Sequence, residues 1–114
     1  MTPRAVLAER AAAQVQGLPG VHLRDLSLTG AQIEHLDLLR PGAACTLGLL
    51  PPCGGLNLPA QVVWCAVIGR KHRFGGVSHL VARSGLRFAT LTAGQQAALA
   101  DTLHDLAPTL QPIA

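Results

Sequence analysis

The sequence predicts an all-β fold closed by one α-helix, and three observations carry that prediction. Short stretches alternate apolar and polar residues at the period of a strand: Val21 and Leu23 against His22 and Arg24, then Ala31, Ile33 and His35 against Gln32 and Glu34, then Cys45, Leu47 and Leu49 against Ala44, Thr46 and Gly48. Gly- and Pro-rich turns divide these stretches, at residues 17–20, 41–42 and 51–55. Only near the end does the period change, where Leu99, Leu103 and Leu106 recur at helical intervals before Pro108. Five or six short strands followed by a helix describe an antiparallel β-barrel with a helical lid.

At the start, Thr2, Pro3 and the Ala-rich run that follows have an N-cap, a Pro at the first helical position and good helix formers, so local propensity favours helix over residues 3–14. The end of that stretch reads equally as a strand. Residues 58–68 form the longest strand candidate, apolar on both faces, with Val62 and Trp64 on one side and Val63, Cys65 and Val67 on the other. One of those faces is expected to lie under the C-terminal helix or a second chain. A basic loop follows, with Arg70, Lys71, His72 and Arg73, then a weak strand at residues 77–83 and a stronger one carrying Leu86 and Phe88 inward. Thr92 and Gln95 have capping-box spacing and open a helix of about four turns.

Composition narrows the function classes. The 114 residues suit one domain, 49% are apolar and 13% charged, and the net charge is +3. That charge attracts a small anion but lacks the Lys/Arg stripe of a duplex-binding protein. With Trp64, Phe74 and Phe88 as its only aromatics, the chain has almost no platform for stacking single-stranded bases, so nucleic acid is not an expected partner. No apolar run approaches a membrane span and no leader pattern opens the chain, which reads as cytoplasmic. Cys45, Cys53 and Cys65 lack CxxC spacing and read as free thiols, and His22, His35, His72, His79 and His104 form no ligand pattern, so no metal or other cofactor is expected. Ser27 lacks the setting of a hydrolase nucleophile, and no base, nucleophile and orienting group assemble from motifs, so the chain does not read as an enzyme.

One stretch carries binding chemistry. Residues 25–30, Asp-Leu-Ser-Leu-Thr-Gly, place a carboxylate and a hydroxyl two apart, hence on one face of a regular strand, and end on a glycine able to take positive φ or to let a ligand approach closely. Arg24 belongs on the opposite face if the strand is regular. By themselves these residues describe an Asx-type turn that bonds its own backbone.

The hexapeptide, its flanks over residues 20–33, the later Arg40-Pro-Gly-Ala-Ala-Cys-Thr-Leu, the Val62-Val-Trp and the Ser84-Gly-Leu-Arg-Phe together resemble the PilZ family. The resemblance implies a six-stranded antiparallel barrel with a C-terminal helix, residues 1–16 as an N-terminal arm with a strand near 12–16, and residues 92–107 as the helix, in a single domain spanning 1–114. It further implies a non-enzymatic receptor or adaptor for cyclic di-GMP that acts through contacts with a protein partner. Asp25 and Ser27 would contact guanine and Gly30 would shape the turn. The family's second motif, Arg-x-x-x-Arg upstream of the hexapeptide, is absent: Ala8 follows Arg4 and Gln14 follows Arg10 at that spacing. Arg10 is the substitute considered, and without the pair the fold would serve as an interaction module that no longer binds the dinucleotide.

Overall fold

The computed structural model describes residues 4–50, 55–72, 78–106 and 110–112, with the side chains of residues 4–12, 72, 105–106 and 110–112 outside the description. Cys53 and the centre of the basic loop, Arg73 and Phe74 included, therefore lie outside the described residues. Six strands make the ring: β1 (Arg4–Val15), β2 (His22–Ser27), β3 (Gly30–Leu36), β4 (Ala44–Leu49), β5 (Asn57–His72) and β6 (Ser78–Phe88). A helix, α1 (Ala93–Leu106), and a short strand, β7 (Leu110–Pro112), follow. The sheet runs β2-β3-β6-β5-β4-β1-β7 with all pairings antiparallel, and an additional β1–β2 pairing closes the six strands into a barrel.

The start of the chain is a strand, not the helix that its alanines favour. β1 pairs with β2 through residues 4–6 and 11–12, with β4 through residues 13–15 and with β7 through residues 5–7. Helix propensity separates Ala from average residues by only about 0.5 kcal/mol per position. Leaving the open edges of β2 and β4 unpaired costs more, so tertiary hydrogen bonding overrides local preference. The strand also begins well before the 12–16 segment expected from the family resemblance.

Inside the barrel, Leu23, Leu26, Ile33, Leu47, Leu49, Leu58, Val62 and Leu86 form the core, and Leu99 of α1 is buried with them. The helix starts as its sequence predicts. Gln95 N–H donates to Thr92 Oγ1 at 3.1 Å, while Thr92 N–H donates to Gln95 Oε1 at 2.9 Å.

One expectation about strand faces fails for a physical reason, and the helix half of another fails with it. In β2, Leu23 pairs with Ile33 but Asp25 pairs with Gln32, so Arg24 is an extra residue, a β-bulge. The bulge cancels one alternation and puts Arg24 beside Asp25 on the outer face, where Arg24 meets Glu34 of β3 at 3.9 Å. The second concerns β5. Leu58, Ala60 and Val62 lie in the core, but neither the helix nor another described element covers Val63, Trp64, Val67 and Ile68, which remain exposed.

Candidate functional site

The hexapeptide forms the β2–β3 turn, and Ser27 is its organiser. Its Oγ accepts the backbone N–H groups of Thr29 and Gly30, each at 3.2 Å, and lies 3.3 Å from Gly30 O, to which the hydroxyl donates. Thr29 Oγ1 is a further neighbour at 3.2 Å. Asp25 Oδ1 accepts Gln32 N–H at 3.0 Å, clamping the bulge to the facing strand. Both groups are buried, Asp25 to 5% and Ser27 to 2% exposure. A side-chain-to-backbone turn is present, but Ser27 makes it; Asp25 bonds across to β3 and does not form the Asx turn read from the sequence.

Gly30 is required here for a reason the sequence does not show. Its φ is not in the left-handed region, and a Cβ at this position would collide with the carbonyl oxygen of Leu86 on β6. A close approach does explain the glycine, but the approaching group is the protein's own backbone.

Register extends the site across the outer face in three rows. Val6, Asp25, Gln32, Gly85 and Trp64 occupy successive strands β1, β2, β3, β6 and β5 in one row. Arg4 stands opposite Ser27, and farther along the same band Gly30 stands opposite Arg87 and Arg87 opposite Gln61. The third row is His22, Glu34, Arg83 and Ala66. Glu34 takes charge from two sides, with Arg83 Nε at 3.5 Å and Arg24 Nη1 at 3.9 Å. Arg10 falls between Val6 and Ala11, where the β1–β2 register shifts, and is not opposite the hexapeptide. Register thus brings Arg4, Asp25 and Ser27 together and leaves Arg10 aside; spacing in the sequence could not reveal this, because the bulge in β1 sets the alignment.

Trp64 lies over Gly85, whose missing side chain leaves room for the indole. Gly85→Ala would drive a Cβ into the indole Nε1, with Cε2 and Cδ1 at 2.7 and 2.8 Å, so the ring must swing outward. Because Trp64 is the only tryptophan, the expected red shift of intrinsic fluorescence reports on this ring alone, and an unshifted spectrum would contradict the contact. Arg87 was not singled out from the sequence. It is exposed and borders an open groove of about 460 Å³ between the β2–β3 turn, at Leu28 and Thr29, and α1, at Gln96 and Ala100.

The other polar cluster is internal. His35 Nε2 lies 2.7 Å from Ser84 Oγ, and His35 Nδ1 lies 3.3 Å from Leu36 O. A carbonyl only accepts, so Nδ1 carries the proton and Nε2 accepts from the serine hydroxyl. A serine hydroxyl bonded to a histidine is the start of a nucleophile. Here the two residues are 1% and 0% exposed among core side chains, which keeps any substrate carbonyl out of reach. Burial holds the His35 imidazole below its ordinary pKa, outweighing the backbone and carboxylate groups that raise it. Burial likewise pushes the Cys45 thiol up. Among the described residues no group of three or more His, Cys, Asp or Glu side chains is placed to hold a metal ion, and no described helix is long and apolar enough to cross a membrane.

This barrel, with its hexapeptide turn between β2 and β3, matches a known family: the sequence fits the PilZ domain over residues 4–104. The chain belongs to the PilZ domain family. Its fold is similar to the PilZ domain with c-di-GMP of YcgR from Escherichia coli, at TM-score 0.68 and 14% identity, covering 94% of this chain and 90% of that one. It is also similar to MrkH, described as a c-di-GMP-dependent transcription regulatory factor, at TM-score 0.66 and 17% identity, covering 94% of this chain and 50% of MrkH. At these identities the two likenesses establish a shared PilZ fold. No curated protein matches the sequence significantly.

Proposed function

We propose that this PilZ domain is a non-enzymatic signalling module that binds cyclic di-GMP against the outer face of β1, β2 and β3 and acts through protein contacts. The observation that carries the reading is the register that sets Arg4 level with Ser27 and Val6 level with Asp25, one strand away from the carboxylate and hydroxyl of the hexapeptide. A guanidinium fork suits a phosphate or the O6/N7 edge of guanine, and a carboxylate accepts from guanine N–H groups. The net charge of +3 favours a dianionic ligand, and both structural neighbours are named with c-di-GMP. Since Asp25 and Ser27 are buried, contact with a ligand requires their cover to move, so binding couples to a local rearrangement around the turn.

Calorimetric titration with cyclic di-GMP at moderate salt tests this. Saturable heat is expected, weakened roughly 5- to 150-fold by Arg4→Ala, the loss of one bidentate arginine. Asp25→Ala is expected to weaken it as well, and Arg10→Ala to leave it within about twofold, well under the tenfold that 1.4 kcal/mol represents. Flat heats would instead favour a second reading, a PilZ fold kept as a constitutive protein-interaction module. That reading is supported by the missing Arg-x-x-x-Arg spacing and by the engagement of Ser27 Oγ within its own turn.

A further inference from the structure

Strand β5 loses β4 as its neighbour after Gln61. The last hydrogen bonds on that edge join Val62 to Gly42 and Ala43, at 2.7 and 2.9 Å. From residue 63 to residue 72, β5 is held by β6 alone, and among the described residues no strand lies along its other edge. Among the described residues, nothing pairs with the backbone N–H and C=O groups on that edge, which is roughly 30 Å long. Its side chains are apolar as well: Val63, Trp64, Val67 and Ile68 are 54, 38, 52 and 47% exposed. Folded proteins protect such edges with charge or with bulges; here the described cations, Arg70 and Lys71, stand only at its far end, and the register against β6 shifts at Val63 and at Ile68, leaving residues 64–67 as the regular stretch between.

We propose that residues 63–69 of β5 pair antiparallel with the same residues of a second copy of this chain, about a two-fold axis at Ala66, joining two barrels edge to edge. Free main-chain groups call for an extended strand as occupant, which a helix or a small ligand does not supply. A second β5 brings an open edge of the same length and the same apolar pattern, so the contact is self-complementary and closed. Charge selects the direction. About an axis at Ala66, residue 70 of one copy lies level with residue 62 of the other, so the Arg70 and Lys71 side chains of the two copies sit at opposite ends. A parallel pairing would set them side by side, and like charges across a ladder are destabilising. An acidic strand from another protein would find no cation along residues 63–68 to meet.

Sedimentation equilibrium over a concentration series, with amide hydrogen exchange on the same samples and no nucleotide present, tests the proposal apart from any ligand. The wild type is expected to dimerise, with the amides of residues 63–68 exchanging more slowly as concentration rises. Val67→Lys, at an exposed position, brings two cations close to the axis and is expected to weaken association about tenfold or more. If that variant loses its folded circular dichroism spectrum, Val63→Lys puts the same question. A wild type that stays monomeric overturns the proposal. So does a dimer that Val67→Lys leaves unchanged, or one in which residues 63–68 gain no protection.

Discussion

Gly30→Ala is expected to destabilise the fold by about 3 kcal/mol, the upper end for overpacking a filled site, seen as a lower urea midpoint at unchanged slope. The new methyl group would meet the Leu86 carbonyl oxygen, with Leu86 C at 3.2 Å and Arg87 Cα at 3.3 Å beyond it, all of them backbone. A flexible side chain could yield; β6 cannot, because it is paired on both edges, with β3 through Ala31–Leu86 and with β5 through Val62–Leu86. Relief therefore requires β3 to move away from β6. That separation breaks the 2.9 Å bond from Phe88 N–H to Thr29 O and disturbs both bonds between Ser27 Oγ and Gly30. Gly42→Ala is the control. Its φ is +91° but nothing lies within 4 Å of the new Cβ, so only the left-handed backbone penalty of about 1–2 kcal/mol applies. Equal losses in the two variants would show that the collision with β6 is absent.

The same residue shows where reading the sequence stops. A glycine at the end of the hexapeptide is visible, and reads as suited to positive φ or to a ligand's close approach, but the group that approaches is a carbonyl from Leu86, far along the chain. What is legible is whatever is local and periodic. The alternation of Leu47 and Leu49 marks β4, and Thr92 with Gln95 marks the start of α1; these local signals, with the family resemblance, are enough for a barrel with a helix. What is not legible depends on partners or on a single extra residue. Nothing in Ala11-Ala12-Ala13 announces that β2 and β4 need a neighbour, and nothing in His22-Leu23-Arg24-Asp25 announces a bulge, so Arg24 is assigned to the wrong face. The candidate site divides in the same way. Asp25, Ser27 and Gly30 stand out by motif, whereas the choice between Arg4 and Arg10 rests on a register that only the paired strands define.

His35→Ala is expected to cost about 2–5 kcal/mol, the range for truncating a large buried side chain, because it leaves a cavity and strands the Ser84 hydroxyl in the core. The wild-type histidine should also make stability depend on pH in a definite direction. Burial holds the folded-state pKa of His35 below its ordinary value of 6.5. As pH falls below about 6.5, the unfolded chain takes up this proton before the folded one does, so the unfolded state gains. The contribution of neutral His35 is thus complete above about 6.5 and declines as pH drops toward the folded-state pKa. The hydrogen bonds give the same direction: Nε2 accepts from Ser84 in the neutral ring, and a proton there would oppose two donors unless the hydroxyl turned away. Urea unfolding of wild type and His35→Gln between pH 8 and pH 5 separates this group from the other histidines. The wild type should lose stability across that range, and His35→Gln, less stable at pH 8, should show a flatter profile. Parallel profiles would mean that His35 takes up its proton alike in the folded and the unfolded chain, which its burial in the core argues against.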